Sequence, residues 1–289
     1  MKKILLTTTL LLVVPFASAM NAVMYQPQLR DTTVSDAQWQ SVLSKLKGQR
    51  IDTLVLQWSR YDDAFTGGES RAWLERKAQL TTASGLKLVI GLAADGQFFE
   101  RQKQPMPALE NYLNHLRAND VAVAKRWVEV LGEQAISGWY ISSELDDRRW
   151  RTPQMQQVAE NWMNNTRLSL AAVADKPVAV SSFFAGNMTP DSYRKWITTL
   201  NHSGVKVWMQ DGAGTQVLTE TERALYLQAP SAGKVIELFR QDKQAETFKA
   251  QPAPAAYQQK LLSTPVPQGQ DRIFFSLRYM SAANGVLAK

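Results

Sequence analysis

Eight short runs rich in valine, isoleucine and aromatic residues recur along the chain, each separated from the next by a stretch with helical signals. They cover residues 22–26, 53–58, 87–92, 138–143, 178–183, 205–210, 234–239 and 272–277. A strand that is followed by a helix and then by another strand is the repeat of a parallel sheet. Eight such repeats predict an α/β fold, a single (β/α)8 TIM barrel, which typically needs about 250 residues. A doubly wound open sheet is the competing topology, but it uses fewer strands, and neither G-x-G-x-x-G nor G-x-x-x-x-G-K-[ST] occurs.

The separating stretches carry their own punctuation. Ser35 to Gln38 reads as a capping box, followed by the apolar stripe Trp39, Val42, Leu43 and Leu46, with Gly48 at the end. Residues 109–131 form a long helical region closed by Gly132. Thr152 and Thr189 each precede a proline at a first helical position, and Thr219 to Glu222 is a second capping box. Only residues 281–289 follow the last run, so the eighth helix is expected to be short or missing.

Residues 1–19 read as a cleaved export signal rather than as part of the fold. Lys2 and Lys3 supply the positive start, residues 4–16 the apolar run, and Ala17, Ser18 and Ala19 the small-residue cleavage pattern. The run is too short to span about 30 Å of hydrocarbon, and nothing later is long and apolar enough to do so. The expected domains are therefore a leader over 1–19 and one barrel over 20–289, in the periplasm or secreted. Loss of Lys2 and Lys3 with the leader brings the formal net charge from +7 to +5. Arg148, Arg149 and Arg151 are the densest basic cluster, but Asp146 and Asp147 precede them. No aromatic-plus-basic motif points to nucleic acid. The modest positive charge biases the chain toward acidic polysaccharide or envelope surfaces.

Cysteine is absent, which excludes disulfides, thiolate nucleophiles and zinc–thiolate sites. Histidine occurs twice, at His115 in a helix and at His202 in a helix-to-strand connection on the far side from a barrel's mouth. A Ser-His-Asp triad is thus unsupported, as is the G-x-S-x-G elbow. H-E-x-x-H and EF-hand spacings are missing too, so neither a metal nor a cofactor is expected.

In a TIM barrel the reactive groups lie at the C-terminal ends of the strands. On the fourth run, alternation puts Trp139 and Ile141 on one face and Tyr140, Ser142 and Glu144 on the other. The polar set should face the axis, aiming Glu144 inward at the rim; the alternative is a solvated carboxylate paired with Arg148 or Arg149. On the seventh run Glu237 sits among Val235, Ile236, Leu238 and Phe239. A charge embedded in an apolar strand needs a reason, either catalysis or an ion pair with Arg278 on the neighbouring last strand. Two carboxylates across a barrel mouth suit glycosidic bond cleavage. The strand exits add candidate substrate-binding residues: Tyr25, Gln57, Trp58, Tyr140, Gln210, Asp211, Arg278 and Tyr279. The aromatics offer flat faces to sugar rings, although Trp58, with Trp208, fits core packing equally well. Asp211 is placed to bind a hydroxyl, to act as an alternative acid, or simply to form the turn before Gly212.

The segments Met24 to Gln28, Ile51 to Trp58, Gly138 to Glu144 and Gln210 to Gly214 resemble a bacterial family of exported TIM barrels generally described as candidate glycoside hydrolases. More distantly, the chain is similar to the clan of retaining glycosidases whose acid/base glutamate ends strand four and whose nucleophile ends strand seven. By strand count that resemblance implies Glu144 and Glu237 for those roles, though the clan carries asparagine where Ser143 stands. The function expected is hydrolysis of an envelope or extracellular polysaccharide. The alternative is a non-catalytic carbohydrate-binding barrel that assists polysaccharide secretion or assembly.

Overall fold

Every one of the eight runs is a β-strand, and the eight close on themselves. In the computed structural model, which describes residues 19–247 and 249–288, they are β1 (Asn21–Tyr25), β2 (Thr53–Leu56), β3 (Lys87–Gly91), β4 (Gly138–Asp146), β5 (Val178–Phe183), β6 (Lys206–Gln210), β7 (Gly233–Glu237) and β8 (Asp271–Phe275). All neighbours pair in parallel and β1 pairs with β8, which leaves no free sheet edge. Apart from Ala19, the expected leader lies outside the described residues.

Among the described residues seven main helices alternate with the strands, with the one-turn helix Phe98–Arg101 added between β3 and α3: α1 (Asp36–Gly48), α2 (Gly68–Ala83), α3 (Met106–Leu131), α4 (Pro153–Ala171), α5 (Pro190–His202), α6 (Glu220–Tyr226) and α7 (Ala255–Ser263). Local chemistry fixes their starts. Ser35 and Thr219 form capping boxes, and the hydroxyls of Thr152 and Thr189 accept from Met155 N and Ser192 N. After β8 come only the 3-10 turns Leu277–Tyr279 and Ser281–Ala283, so an eighth helix is missing among the described residues. The chain is a (β/α)8 barrel with that one truncation.

Two apolar layers result from strand alternation. Trp139, Ile141, Val180 and Phe274 face outward into the helix layer, beside the buried stripe Trp39, Val42, Leu43 and Leu46 of α1. Ala22, Met24, Val55, Val89, Tyr140, Ala179, Trp208, Val235 and Ile273 fill the barrel interior. The lower interior is closed by Asp271, which accepts from Lys206 Nζ and Trp208 Nε1, each at 3.1 Å. The filled interior is a plug, and ligands must approach from the upper rim.

One departure from regular pairing matters for the site. β4 matches β5 as far as Ile141 opposite Val180, and then Glu144 stands opposite Ser181. Residues 142 and 143 are therefore a two-residue bulge. Because two is the side-chain period of a strand, the insertion carries Glu144 upward without turning it outward. It also extends β4 three residues beyond the run read from the sequence.

Candidate active site

Glu144, Asp211 and Glu237 meet at the C-terminal ends of β4, β6 and β7. Glu144 Oε1 accepts from Gln210 Nε2 at 2.9 Å. Neither Arg148 nor Arg149 reaches it. Their main-chain N–H groups donate instead to Asp146, whose other oxygen accepts from Gln102. Asp147 is likewise spent on Asn187 and Met188, tying the β4 loop to the β5 loop. Burial pushes the Glu144 carboxyl up to about 6, and the Gln210 amide, which favours the charged form, opposes that rise.

Glu237 is the last residue of β7, follows the inward-facing Val235 at a spacing of two, and is buried. Arg278 is not its partner. Its Oε2 accepts from two main-chain donors, Gly214 N at 2.6 Å and Thr215 N at 3.2 Å. Gly214 must lack a side chain for this, since a Cβ there would lie 2.6 Å from the Phe239 ring. Burial, then the Asp211 charge, raises the Glu237 carboxyl to about 7. The Gly214 and Thr215 bonds work against that rise, and the Glu144 charge adds a little to it. Asp211 Oδ1 accepts from Ala213 N and from Glu237 N, so the aspartate both forms its own turn and fastens that turn to β7. Its carboxyl is also raised, chiefly by burial, against the two N–H bonds and the charges of Arg223 and Arg240.

Two buried polar atoms at the upper ends of β2 and β4 have no hydrogen-bond partner among the described residues. Gln57 Oε1 belongs to a residue two positions beyond inward-facing Val55, and Ser142 Oγ lies in the bulge below Glu144. Buried acceptors and hydroxyls are rarely left unpaired, so each calls for a partner outside the protein chain. Beneath them the Tyr140 ring stacks on Trp208 at 5.6 Å, and its hydroxyl bonds Ser181 at 2.8 Å, forming the floor.

The structure thus assembles Glu144, Glu237, Gln57, Gln210, Asp211 and Tyr140. It places the other expected residues elsewhere. Tyr25 alternates to the outer face of β1, where it is fully buried against Trp39 and donates to Asp31 at 2.9 Å. Arg278 is also buried and holds both oxygens of Asp31, at 3.0 and 2.6 Å. This is a structural pair between the β1 and β8 loops, out of a ligand's reach. Trp58 packs on Tyr61 at the rim and donates to Pro27 O. Tyr279 lies on the barrel's flank in a groove of about 880 Å³ between the end of α1 and α7, where an eighth helix would pack. His115 and His202 are exposed on α3 and at the end of α5. Among the described residues no group of three histidines, aspartates or glutamates is arranged to hold a metal ion. No described helix is long and apolar enough to cross a membrane.

Sequence reasoning missed the two main-chain donors to Glu237. The glycine at 214 was the available signal, but its target lies 23 residues further on.

Residues 20–284 match the family described as a domain of unknown function, DUF4434. The chain belongs to the DUF4434 family. It is 46% identical over 294 residues to the uncharacterized protein YbcH of Escherichia coli K12, covering 99% of each chain. Among solved structures, the fold is similar to that of a candidate alpha-L-fucosidase from Bacteroides thetaiotaomicron, with a TM-score of 0.60, 13% identity and 96% and 94% of the two chains covered. It is also similar to the catalytic domain of a beta-amylase from Paenibacillus polymyxa, with a TM-score of 0.55, 8% identity and 90% and 92% covered. At such identities the likeness is one of fold.

Proposed function

We propose that the protein is an exported glycoside hydrolase acting on an envelope or extracellular polysaccharide, with Glu144 as general acid/base and Glu237 as nucleophile. The observation that carries this is a pair of inward-facing glutamates at the upper ends of strands four and seven, Glu144 half-buried and Glu237 buried, each raised toward neutrality. Cleavage of a glycosidic bond needs one carboxylic acid to protonate the leaving oxygen and one carboxylate to attack the anomeric carbon. The hydrogen bonds suggest the division of labour. Main-chain N–H groups can only donate, so Oε2 of Glu237 is held as an acceptor, which favours the charged form a nucleophile needs and works against the burial and the Asp211 charge that raise this carboxyl to about 7, above Glu144 at about 6. Glu144 has one amide donor on Oε1, leaving Oε2 to carry and return a proton. Gln57 and Ser142 would take sugar hydroxyls. The two solved glycosidase-type barrels of similar fold accord with this chemistry, and the leader expected over residues 1–19 would direct export.

The test is release of reducing ends from a panel of bacterial and plant polysaccharides by the wild type, Glu144→Gln and Glu237→Gln. Hydrolysis by the wild type that either variant retains in full would refute the assignment. A second reading, glycan binding without hydrolysis, is favoured by Ser143 in place of the clan's asparagine. It predicts binding that Glu144→Gln leaves unchanged and no turnover by any form.

A further inference from the structure

Beside the carboxylate cluster lies a second groove, of about 450 Å³, lined by Ala213, Leu218, Thr219, Arg223, Arg240 and Tyr257 among others. It is built from the β6 loop, the first turn of α6, the strand Phe239–Gln241 that follows β7, and α7. Gln241 N donates to Gly214 O at 2.9 Å, which fixes this wall to the loop that holds Glu237.

Both arginines of the groove are half-buried and neither forms an ion pair among the described residues. They are nonetheless positioned. Arg223 rests its stem on Gly212, where a Cβ would come within 3.2 Å of its Cδ, and donates to Leu218 O at 3.3 Å. Arg240 donates to Phe239 O at 2.7 Å, and its guanidinium lies 4.7 Å from the centre of the Tyr257 ring. At one edge Lys243 Nζ binds Gln216 O, and Glu220 is the one acid in the lining. Two guanidinium forks, each anchored by a carbonyl and lacking a carboxylate, form a receptor for a planar anion. The groove shares the β6 loop with the mouth: its lining residue Ala213 donates through its N–H to Asp211 and precedes Gly214, which holds Glu237.

Building on the glycosidase reading, we propose that this groove is a subsite for an anionic sugar, with Arg223 and Arg240 taking the carboxylate of a hexuronic acid residue next to the one bound at the glutamates. The natural polysaccharide is then an acidic one.

The experiment is calorimetric titration of tetrasaccharides of mannuronate, guluronate and galacturonate, each beside its carboxyl-reduced neutral counterpart, at 150 mM salt. It uses the full chain carrying Glu144→Gln to prevent turnover, with and without Arg223→Gln and Arg240→Gln. The expected result is that at least one uronate binds about tenfold more tightly than its reduced partner. Removing the arginines abolishes that preference while leaving the neutral affinity within about twofold, in protein whose melting curve remains cooperative. Equal binding of charged and neutral partners overturns the subsite but leaves the glycan reading standing, and so does a preference that survives loss of both arginines. Absence of binding by every glycan overturns both. A sulfated neutral-backbone tetrasaccharide bound more tightly than every uronate overturns the carboxylate assignment in favour of a sulfate ester.

Discussion

Replacing Glu144 by glutamine should make the protein more stable at neutral and alkaline pH, and by an amount that vanishes in acid. In the folded chain the carboxyl titrates at about 6 rather than the ordinary 4.5, because burial penalises its charge. A carboxyl raised by folding binds its proton more tightly in the native state. Its contribution to stability is therefore fully present below pH 4.5 and is lost as pH rises through about 6. The rise from 4.5 to about 6 corresponds to about 2 kcal/mol lost by the wild type by pH 8. Glutamine keeps the size and can still accept from Gln210 Nε2, but it carries no charge, so it avoids that loss. For a chain of this size each kcal/mol is worth about 2–4 °C, which predicts a melting temperature about 4–8 °C above the wild type at pH 8. At pH 4 the two should coincide. Thermal unfolding followed by circular dichroism between pH 4 and pH 8 tests this. A variant that melts with or below the wild type at pH 8, or an offset that does not change with pH, would refute the argument that the fold holds Glu144 against a desolvation cost. Such a cost is what a functional carboxylate carries, so the outcome bears on the site as well as on stability.

Three further outcomes are expected. Asp31→Ala leaves Arg278 buried without its carboxylate and strips acceptors from Tyr25 and Gln28, and should destabilise by about 3–5 kcal/mol in urea unfolding; a loss under about 1 kcal/mol would show the pair to be dispensable. Gly91→Ala puts a Cβ 2.2 Å from Leu56 O and 2.4 Å from the Gln57 carbonyl carbon, so a loss at or above the upper end of about 1–3 kcal/mol is expected, read from the same unfolding curves. Gln210→Leu removes the donor that favours ionised Glu144, so on any substrate hydrolysed the pH profile should move its Glu144 limb upward from about 6, whereas a purely structural glutamine would lower the rate without moving the limb.

The elements of the fold were legible because they are written locally. Alternation assigned Trp139 and Ile141 to the helix layer and Tyr140 to the interior, and the structure keeps both. Ser35, Thr152, Thr189 and Thr219 start their helices with hydrogen bonds that span only a few residues. The same alternation also carried Glu144 to the mouth, although only because the bulge at 142 and 143 inserts an even number of residues. Exits were the weaker signal. Tyr25 and Arg278 stand at strand ends in the sequence, yet one falls on the outer face and the other turns to a buried aspartate 247 positions away.

What the sequence by itself determined is the count, order and facing of the strands, since side-chain period and capping act between residues close along the chain. Which groups neutralise which charges was decided only by closure of the barrel. Closing β1 against β8 brings Asp31 to Arg278, setting β6 beside β7 brings the Gly214 and Thr215 amides to Glu237, and barrel curvature across β5 brings Gln210 to Glu144 on β4. Those partnerships join residues between 22 and 247 positions apart, and no local rule encodes them. The same holds for the paired arginines at 223 and 240, whose shared groove exists only because the β6 and β7 loops fold against each other.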